Sequence, residues 1–441
     1  MKTQTEPSRA NRHMRALSLM VVSLSFLLLA GSLPAAADVY DPTQPTNNKE
    51  AGANPPGSGG PARRVALGMA DPEGQSAAAV DAFIASVGGK KPATWVIWSQ
   101  WGRPVTKAFP TALANALKAR DITPTIWWEP VDPRDLSDPT YARHKNIIRG
   151  DHDAYIRQWA RDARAFGAPV LVRFAHEINN NYFPWSVNSF DNSPATFKAA
   201  WRRVYSIFRS EGATNVKFVW SVAKKKCSGC NPYAEVYPGD NYVDYMAFSG
   251  YNWGAIKGKK WLSMYESYRI ATNKLAEISN KPIIVAETAS NSIGGDKVAW
   301  IRDGYREVYR KLPQISSIVY LSADLRDVGH PDWRITSPAK ALKAYAEIMA
   351  LGKFDTRMSF GSTRRSQMAR TDREDSETRK HKSSATDATR DKAPRVRKGT
   401  AVDDGSRDPR DGEASKIRSR TTKRPKKKAP DPVATLDSFG R

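Results

Sequence analysis

An α/β fold, a closed (β/α)8 TIM barrel, is the architecture the sequence predicts, on three observations. Eight apolar strand-like runs recur along the middle of the chain, and helix-like patterns lie between them. Several runs also end in polar or aromatic residues that a buried strand would not carry, as in "WSQW", "WWEP", "FAHEIN", "SGYNWG", "AETAS" and "SADLRD". Strands alternating with helices imply parallel βαβ units. Eight such units in roughly 290 residues suit a barrel, which takes about 250 residues plus insertions. An open doubly wound sheet is the next candidate, but no Gly-rich phosphate loop follows an early strand.

In chain order the runs are "RRVALGM" (63 to 69), "ATWVIWSQ" (93 to 100), "ITPTIWWEP" (122 to 130), "APVLVRFAHE" (168 to 177), "NVKFVWSVA" (215 to 223), "YVDYMAFSGYN" (242 to 252), "KPIIVAET" (281 to 288) and "SSIVYLSAD" (316 to 324). Between the third and fourth, Tyr155, Ile156, Trp159, Ala163 and Phe166 recur at helical spacing, and Gly167 stands where a C-cap belongs. "SPATFKAAWRRVYSIFRSEG" and "KVAWIRDGYREVYRKL" repeat the helical pattern later in the chain.

The flanks differ in kind. All 13 Trp residues lie between Trp95 and Trp333, so an aromatic core is expected over residues 63 to 355. Before it, Lys2, Arg9, Arg12 and Arg15 precede an apolar run from Ala16 to Gly31, and Ala35, Ala36 and Ala37 offer a cleavage site. Residues 1 to 37 therefore read as a signal peptide cut near Ala37, with a Pro, Gly and Asn linker over 38 to 62, and secretion is expected. Cys227 and Cys230, a C-x-x-C pair in an exported chain with no other cysteine, are expected to form a local disulfide.

Net charge is +24. From Thr356 to Arg441 there are 24 Lys and Arg against 13 Asp and Glu, so the tail alone carries +11. With so few apolar residues, segment 356 to 441 reads as a disordered basic tail. Its run "KRPKKKAP" suits an anionic wall polymer or exopolysaccharide; nucleic acid is not expected, because Phe360 and Phe439, both outside that run, are the tail's only aromatic rings. The chain is expected to be a monomer. The six histidines stand singly at 13, 144, 152, 176, 330 and 381, with no H-E-x-x-H, so neither a metal site nor a cofactor is expected.

Active sites of such barrels lie at the C-terminal strand ends. Glu129 ends the third predicted strand, Glu177 the fourth and Glu287 the seventh. Two carboxyls facing each other across a sugar are what glycoside hydrolysis needs: one protonates the leaving oxygen, and the other attacks the anomeric carbon or activates water. Arg173 and Glu177 are four apart on one strand, so period-two alternation puts them on one face, where the cation can orient the carboxylate. The following "NNNYFPW" offers amides and rings for sugars.

"RFAHEINNNYFPW" (173 to 185) resembles the acid/base motif of glycoside hydrolase family 26, whose members are mostly β-mannanases of the retaining (β/α)8 clan. The likeness continues through "YPGDNYVDYMAFSGYNWG", "KPIIVAETAS" and "DWRI", in that order, and so spans most of the core. It implies that Glu177 is the general acid/base and Glu287 the nucleophile. It further implies that His176 and Tyr251 hydrogen-bond around the nucleophile, and that Asn179, Trp185, Trp253 and Trp333 line sugar subsites. Glu129 is then left to bind substrate or brace a neighbour. The chain departs from the family in reading "HEINNN" where "HEMNG" is common, and "VYLSAD" where the eighth strand usually ends in an aromatic pair. Mannan, another β-glycan or a host exopolysaccharide thus remain open as substrates. A carbohydrate-binding barrel without catalysis is the rival function.

Overall fold

The computed structural model describes residues 63 to 224 and 230 to 360. The predicted signal peptide and linker, Cys227 and almost all of the predicted tail lie outside the described residues.

Eight parallel strands form the barrel: β1 (Val65–Ala70), β2 (Thr94–Gln100), β3 (Thr123–Glu129), β4 (Val170–Phe174), β5 (Val216–Ala223), β6 (Tyr245–Ser249), β7 (Ile283–Thr288) and β8 (Ile315–Leu321). They pair in sequence order, β8 returns to β1, and β1 also pairs with β2, which closes the sheet. Each corresponds to one of the eight apolar runs. A short ninth strand, β9 (Phe354–Asp355), adds itself beside β1 and was not anticipated.

Helices follow most strands: α1 (Ala77–Ser86), α2 (Thr111–Ala119), α3 (Asp153–Phe166), α4 (Pro194–Ser210), α5 (Met264–Ile278), α6 (Lys297–Lys311) and α7 (Ala339–Met349). In α3 the apolar positions Ile156, Trp159, Ala163 and Phe166 face the barrel, and Gly167 ends the helix in the left-handed region at φ 77°. The starts of α4 and α5 are set by capping boxes, Ser193 with Thr196 and Ser263 with Glu266, so each loop over the barrel mouth ends at a defined residue. Between β5 and β6 the described residues hold two 3-10 turns, Tyr233–Val236 and Asp240–Tyr242, in place of an α-helix. None of the described helices is long and apolar enough to cross a membrane.

The inward face of the strands can be read from one small interior cavity, lined by Thr94, Thr125, Leu171, Arg173, Val219, Ile284, Ala286, Ser317 and Val319. Small and branched side chains fill the floor, and Arg173 is the cation rising from it. Outside the strands, Trp101, Trp128, Trp159 and Phe208 pack ring against ring with centroids 4.8 to 5.7 Å apart. Each such buried ring adds roughly 0.5–1.5 kcal/mol beyond its area, and together they lock the β3 and β4 side of the barrel to α3 and α4.

Candidate active site

Glu287 reaches the barrel mouth because β7 is irregular. Ile284 and Ala286 point inward, so strict alternation would turn Glu287 out toward the helices. The pairing with β6 instead jumps from Phe248–Val285 to Ser249–Glu287, a bulge that skips Ala286 and turns Glu287 inward. Three donors meet it there. Arg173 forms an ion pair with Oε1, Ser249 Oγ donates to the same oxygen at 3.3 Å, and the Tyr251 hydroxyl donates to Oε2 at 2.5 Å. Burial and the nearby Glu287 push the Tyr251 phenol well above its usual range, so it stays protonated and can donate.

Arg173 is fully buried and spends its guanidinium on four partners. Besides Glu287 it donates to Ser221 Oγ (3.0 Å) and Ser249 Oγ (3.1 Å), and its cation lies 4.8 Å from the Trp127 ring. The expected pairing of Arg173 with Glu177 on one face of β4 is therefore corrected: Arg173 grips Glu287 across the barrel. The reason is local, because β4 stops at Phe174 and Glu177 stands beyond it. Ala175 (φ 43°) and Glu177 (φ 53°) both take left-handed backbone, which ends strand alternation and swings Glu177 into the mouth on its own turn.

That turn leaves the Glu177 carboxyl with few donors. Asn180 Nδ2 donates to its Oε2 at 3.1 Å. Desolvation first, and then the charge of Glu287, raise its pKa to about 7. The two carboxyls thus occupy unlike settings: one is crowded with a cation and hydroxyl donors, and the other is kept protonated near neutral pH.

The loop carrying Glu177 is pinned from outside the motif. Trp185 Nε1 donates to the His176 carbonyl (2.8 Å), and the Trp185 carbonyl accepts from His144 Nε2 (2.9 Å). Asn192 Nδ2 donates to the carbonyls of Ala142 and Ser186, while its Oδ1 accepts from the His144 amide. Neither His144 nor Asn192 was anticipated, since 41 residues separate His144 from Trp185. Asn180 was passed over as well; only its place in the "NNN" run could have flagged it.

Other expectations change. Asn179 is not a free sugar-binding amide: its Oδ1 accepts from the Ala223 amide at 2.7 Å and its Nδ2 donates back to the Ala223 carbonyl, clipping the turn to the end of β5. Trp185 and Trp333 are fully buried, so neither shows a face to a sugar. Trp185 stacks on Phe183 at 4.7 Å, and Trp333 backs the Tyr251 ring at 5.2 Å.

His176 does not bond the nucleophile. Its ring packs among Trp127, Phe183 and Trp185, and both ring nitrogens lack a hydrogen-bond partner in the described residues. Burial, and then the charge of Arg173, hold it neutral. Trp253 remains half-buried at the rim, held there by Gly254. That residue has φ 60°, and a Cβ on it would sit 2.2 Å from the Ile293 carbonyl. Glu129 ends β3 as expected and accepts from Gln100 Nε2 at 2.9 Å, a bracing contact between neighbouring strands. No group of three or more potential metal-ligating side chains occurs among the described residues. Cys230 is not a free thiol; its predicted partner Cys227 lies outside the described residues.

Fold and site together define a class: a parallel (β/α)8 barrel with two carboxyls of unlike setting at the ends of β4 and β7. Residues 134–281 match the sequence model of Glycosyl hydrolase family 26. Among curated relatives, Endoglucanase H of Acetivibrio thermocellus is 38% identical over 231 residues, covering 52% of this chain and 24% of that protein. Mannan endo-1,4-beta-mannosidase A and B of Caldalkalibacillus mannanilyticus is 33% identical over 90 residues, covering 20% of this chain and 17% of that protein. The chain thus spans no more than about a quarter of either relative. Two solved structures share the fold. A family 26 β-mannanase of Bacteroides ovatus aligns with TM-score 0.50 and 17% identity, covering 68% of this chain and 93% of that one. The catalytic domain of an endo-β-1,4-mannanase of Bacillus sp. JAMB-750 aligns with TM-score 0.51 and 16% identity, covering 68% and 89%.

Proposed function

We propose that the barrel is a retaining β-glycan hydrolase in which Glu177 is the general acid/base and Glu287 the nucleophile. The observation that carries this reading is the contrast at the mouth: Arg173, Ser249 and Tyr251 converge on Glu287, while burial and the charge of Glu287 keep Glu177 protonated. In the first step a Glu287 oxygen attacks the anomeric carbon, and the glycosidic C–O bond breaks. The Glu177 proton passes to the departing oxygen. In the second, Glu177 takes a proton from water, the water oxygen bonds the same carbon and the ester to Glu287 is released. Only water is consumed, so no cofactor enters. Trp253 stays in the reading as a sugar contact through its ring at the rim; His176, enclosed by Trp127, Phe183 and Trp185, does not.

For the sugar we favour a β-glucan over mannan, because the match to an endoglucanase runs over 231 residues and that to a mannosidase over 90. In this reading the signal-like pattern of residues 1 to 37 supports secretion, and the chain acts as a monomer whose basic tail holds an anionic wall polymer or exopolysaccharide. The test is incubation of the purified chain with β-glucan, β-mannan, β-1,3-xylan and the host's exopolysaccharide, with new reducing ends as readout. Cleavage of one of these, lost in Glu287→Ala, is expected. Binding without cleavage across the panel would overturn catalysis in favour of a carbohydrate-binding barrel.

A further inference from the structure

We infer that Lys259 makes the rim of the mouth a site for a uronic acid, so that the β-glycan the barrel cuts is an acidic one. This rests on the hydrolytic reading above and names its substrate more narrowly. The Lys259 ammonium lies over the half-buried Trp253 ring, 3.5 Å from its centre. A sugar that comes to this ring therefore meets a cation.

The pair stands close to the chemistry. Tyr251, two residues before Trp253, donates to Glu287, and Trp333 packs against both rings, 5.2 Å from that of Tyr251 and 5.4 Å from that of Trp253. Two residues of chain span at most about 7 Å, so a sugar at Trp253 is a near neighbour of the one at Glu287. The loop that returns Lys259 to the ring is held at its base. Asn252 Oδ1 accepts from the amides of Gly254 (3.1 Å) and Leu262 (3.0 Å), and the Ala255 amide donates to the Ile293 carbonyl at 2.9 Å.

Charge on this side favours an anion. His330, in the loop after β8, lies 5.0 Å from the Trp253 ring, and in the same loop Asp324 and Asp332 are already held by Arg326 and Arg334 at 2.6 to 3.2 Å. Residues 63 to 355 carry 40 Lys and Arg against 28 Asp and Glu, a balance of +12. A neutral sugar stacking on that face must push the ammonium off the ring and forgo the cation–π contact, whereas a uronate gains an ion pair in the same place. Charge thus selects where stacking alone would not.

Turnover of β-glucan and β-mannan, each neutral and with part of its C6 hydroxymethyl groups oxidised to carboxylates, reads this directly. Wild type should show a kcat/KM about threefold to tenfold higher on an oxidised polymer than on its neutral parent, and its products should carry the uronate at one fixed position from the cut. In Lys259→Met the preference should fall to within about twofold of unity and the position should scatter, whereas Lys259→Arg should keep both. A neutral polymer preferred by wild type, or the wild-type preference and product pattern retained in Lys259→Met, would overturn the inference. Should the methionine variant not fold, Lys259→Gln takes its place in the same comparison. If wild type cleaves none of these polymers and nothing in the panel above, it is the hydrolytic reading that fails. Tighter binding of oxidised polymer to wild type than to Lys259→Met would then still support the uronate site, and equal binding would overturn it.

Discussion

The ends of β4 and β7 each deliver a glutamate to the same mouth, yet they do so by opposite means. At β7 the strand runs on to Thr288 through a bulge that leaves Ala286 unpaired, and this turns Glu287 inward opposite Ser249. At β4 the strand gives out, and two residues in left-handed backbone carry Glu177 on a turn. The first device places the carboxylate beside Ser249 and Tyr251 at the end of the neighbouring β6 and opposite Arg173 of β4 across the barrel. The second lifts the carboxyl away from strand partners and leaves it desolvated beside a like charge. The same residue type thus acquires unlike surroundings from backbone geometry, and the turn that carries Glu177 needs its own bracing.

The sharpest way to break the contrast is to remove the cation that defines the β7 side. Arg173→Met leaves Glu287 buried beside Glu177 without its ion pair. Loss of turnover is expected, with a fall in stability of about 3–5 kcal/mol, the usual cost of stranding a buried charge. Denaturant unfolding and assay of the folded fraction check both, and wild-type stability would refute the ion pair's part.

Glu177→Gln attacks the other side. Polysaccharide turnover should fall about 10²–10⁴-fold, the usual contribution of a general acid, with a smaller loss on dinitrophenyl glycosides that need no protonation. The same variant tests the raised pKa through stability. Between the ordinary carboxylate value of 4.5 and about 7, the folded wild type holds a proton that the unfolded chain has already lost. Wild-type stability attributable to this group therefore declines as pH rises through that window and stays lower above it. Glutamine has no such proton, so its melting temperature should exceed that of wild type at pH 8 and match it at pH 4. A variant no more stable at pH 8 would speak against the raised pKa.

Smaller effects are expected from the groups that tune each side. Tyr251→Phe removes one donor from Glu287 and should lower kcat/KM about tenfold, as loss of a hydrogen bond to a charged group does. His144→Ala loosens the Glu177 loop through Trp185. It should reduce turnover of polysaccharide about threefold to tenfold while sparing activated aryl substrates, and His144→Gln, which keeps a donor for the Trp185 carbonyl, should recover much of it.

The sequence made the barrel legible because eight apolar runs separated by helical patterns have few other solutions. The end of the seventh strand was legible as the place of Glu287, but the bulge that turns it inward was not. "IIVAET" reads as plain alternation, and a bulge is defined by the partner strand, which no local pattern reveals. For Glu177 the run "VLVRFAHE" continues apolar past Phe174, so the strand looked longer than it is and Arg173 was matched to the wrong carboxylate. Asn179, Trp185 and Trp333 were read as sugar contacts because amides and rings near a motif are commonly that; burial turned all three into braces. His144 and Asn192 carried no local signal at all, since their meaning lies in contacts made from the far end of another loop.

The most direct test is to trap the intermediate. Incubation with an activated 2-deoxy-2-fluoro β-glycoside of whichever sugar the enzyme cleaves, followed by proteolysis and mass spectrometry, should find one glycosyl adduct on the peptide carrying Glu287. An adduct on Glu177, or steady turnover with no adduct at all, would contradict the division of roles between the two strand ends.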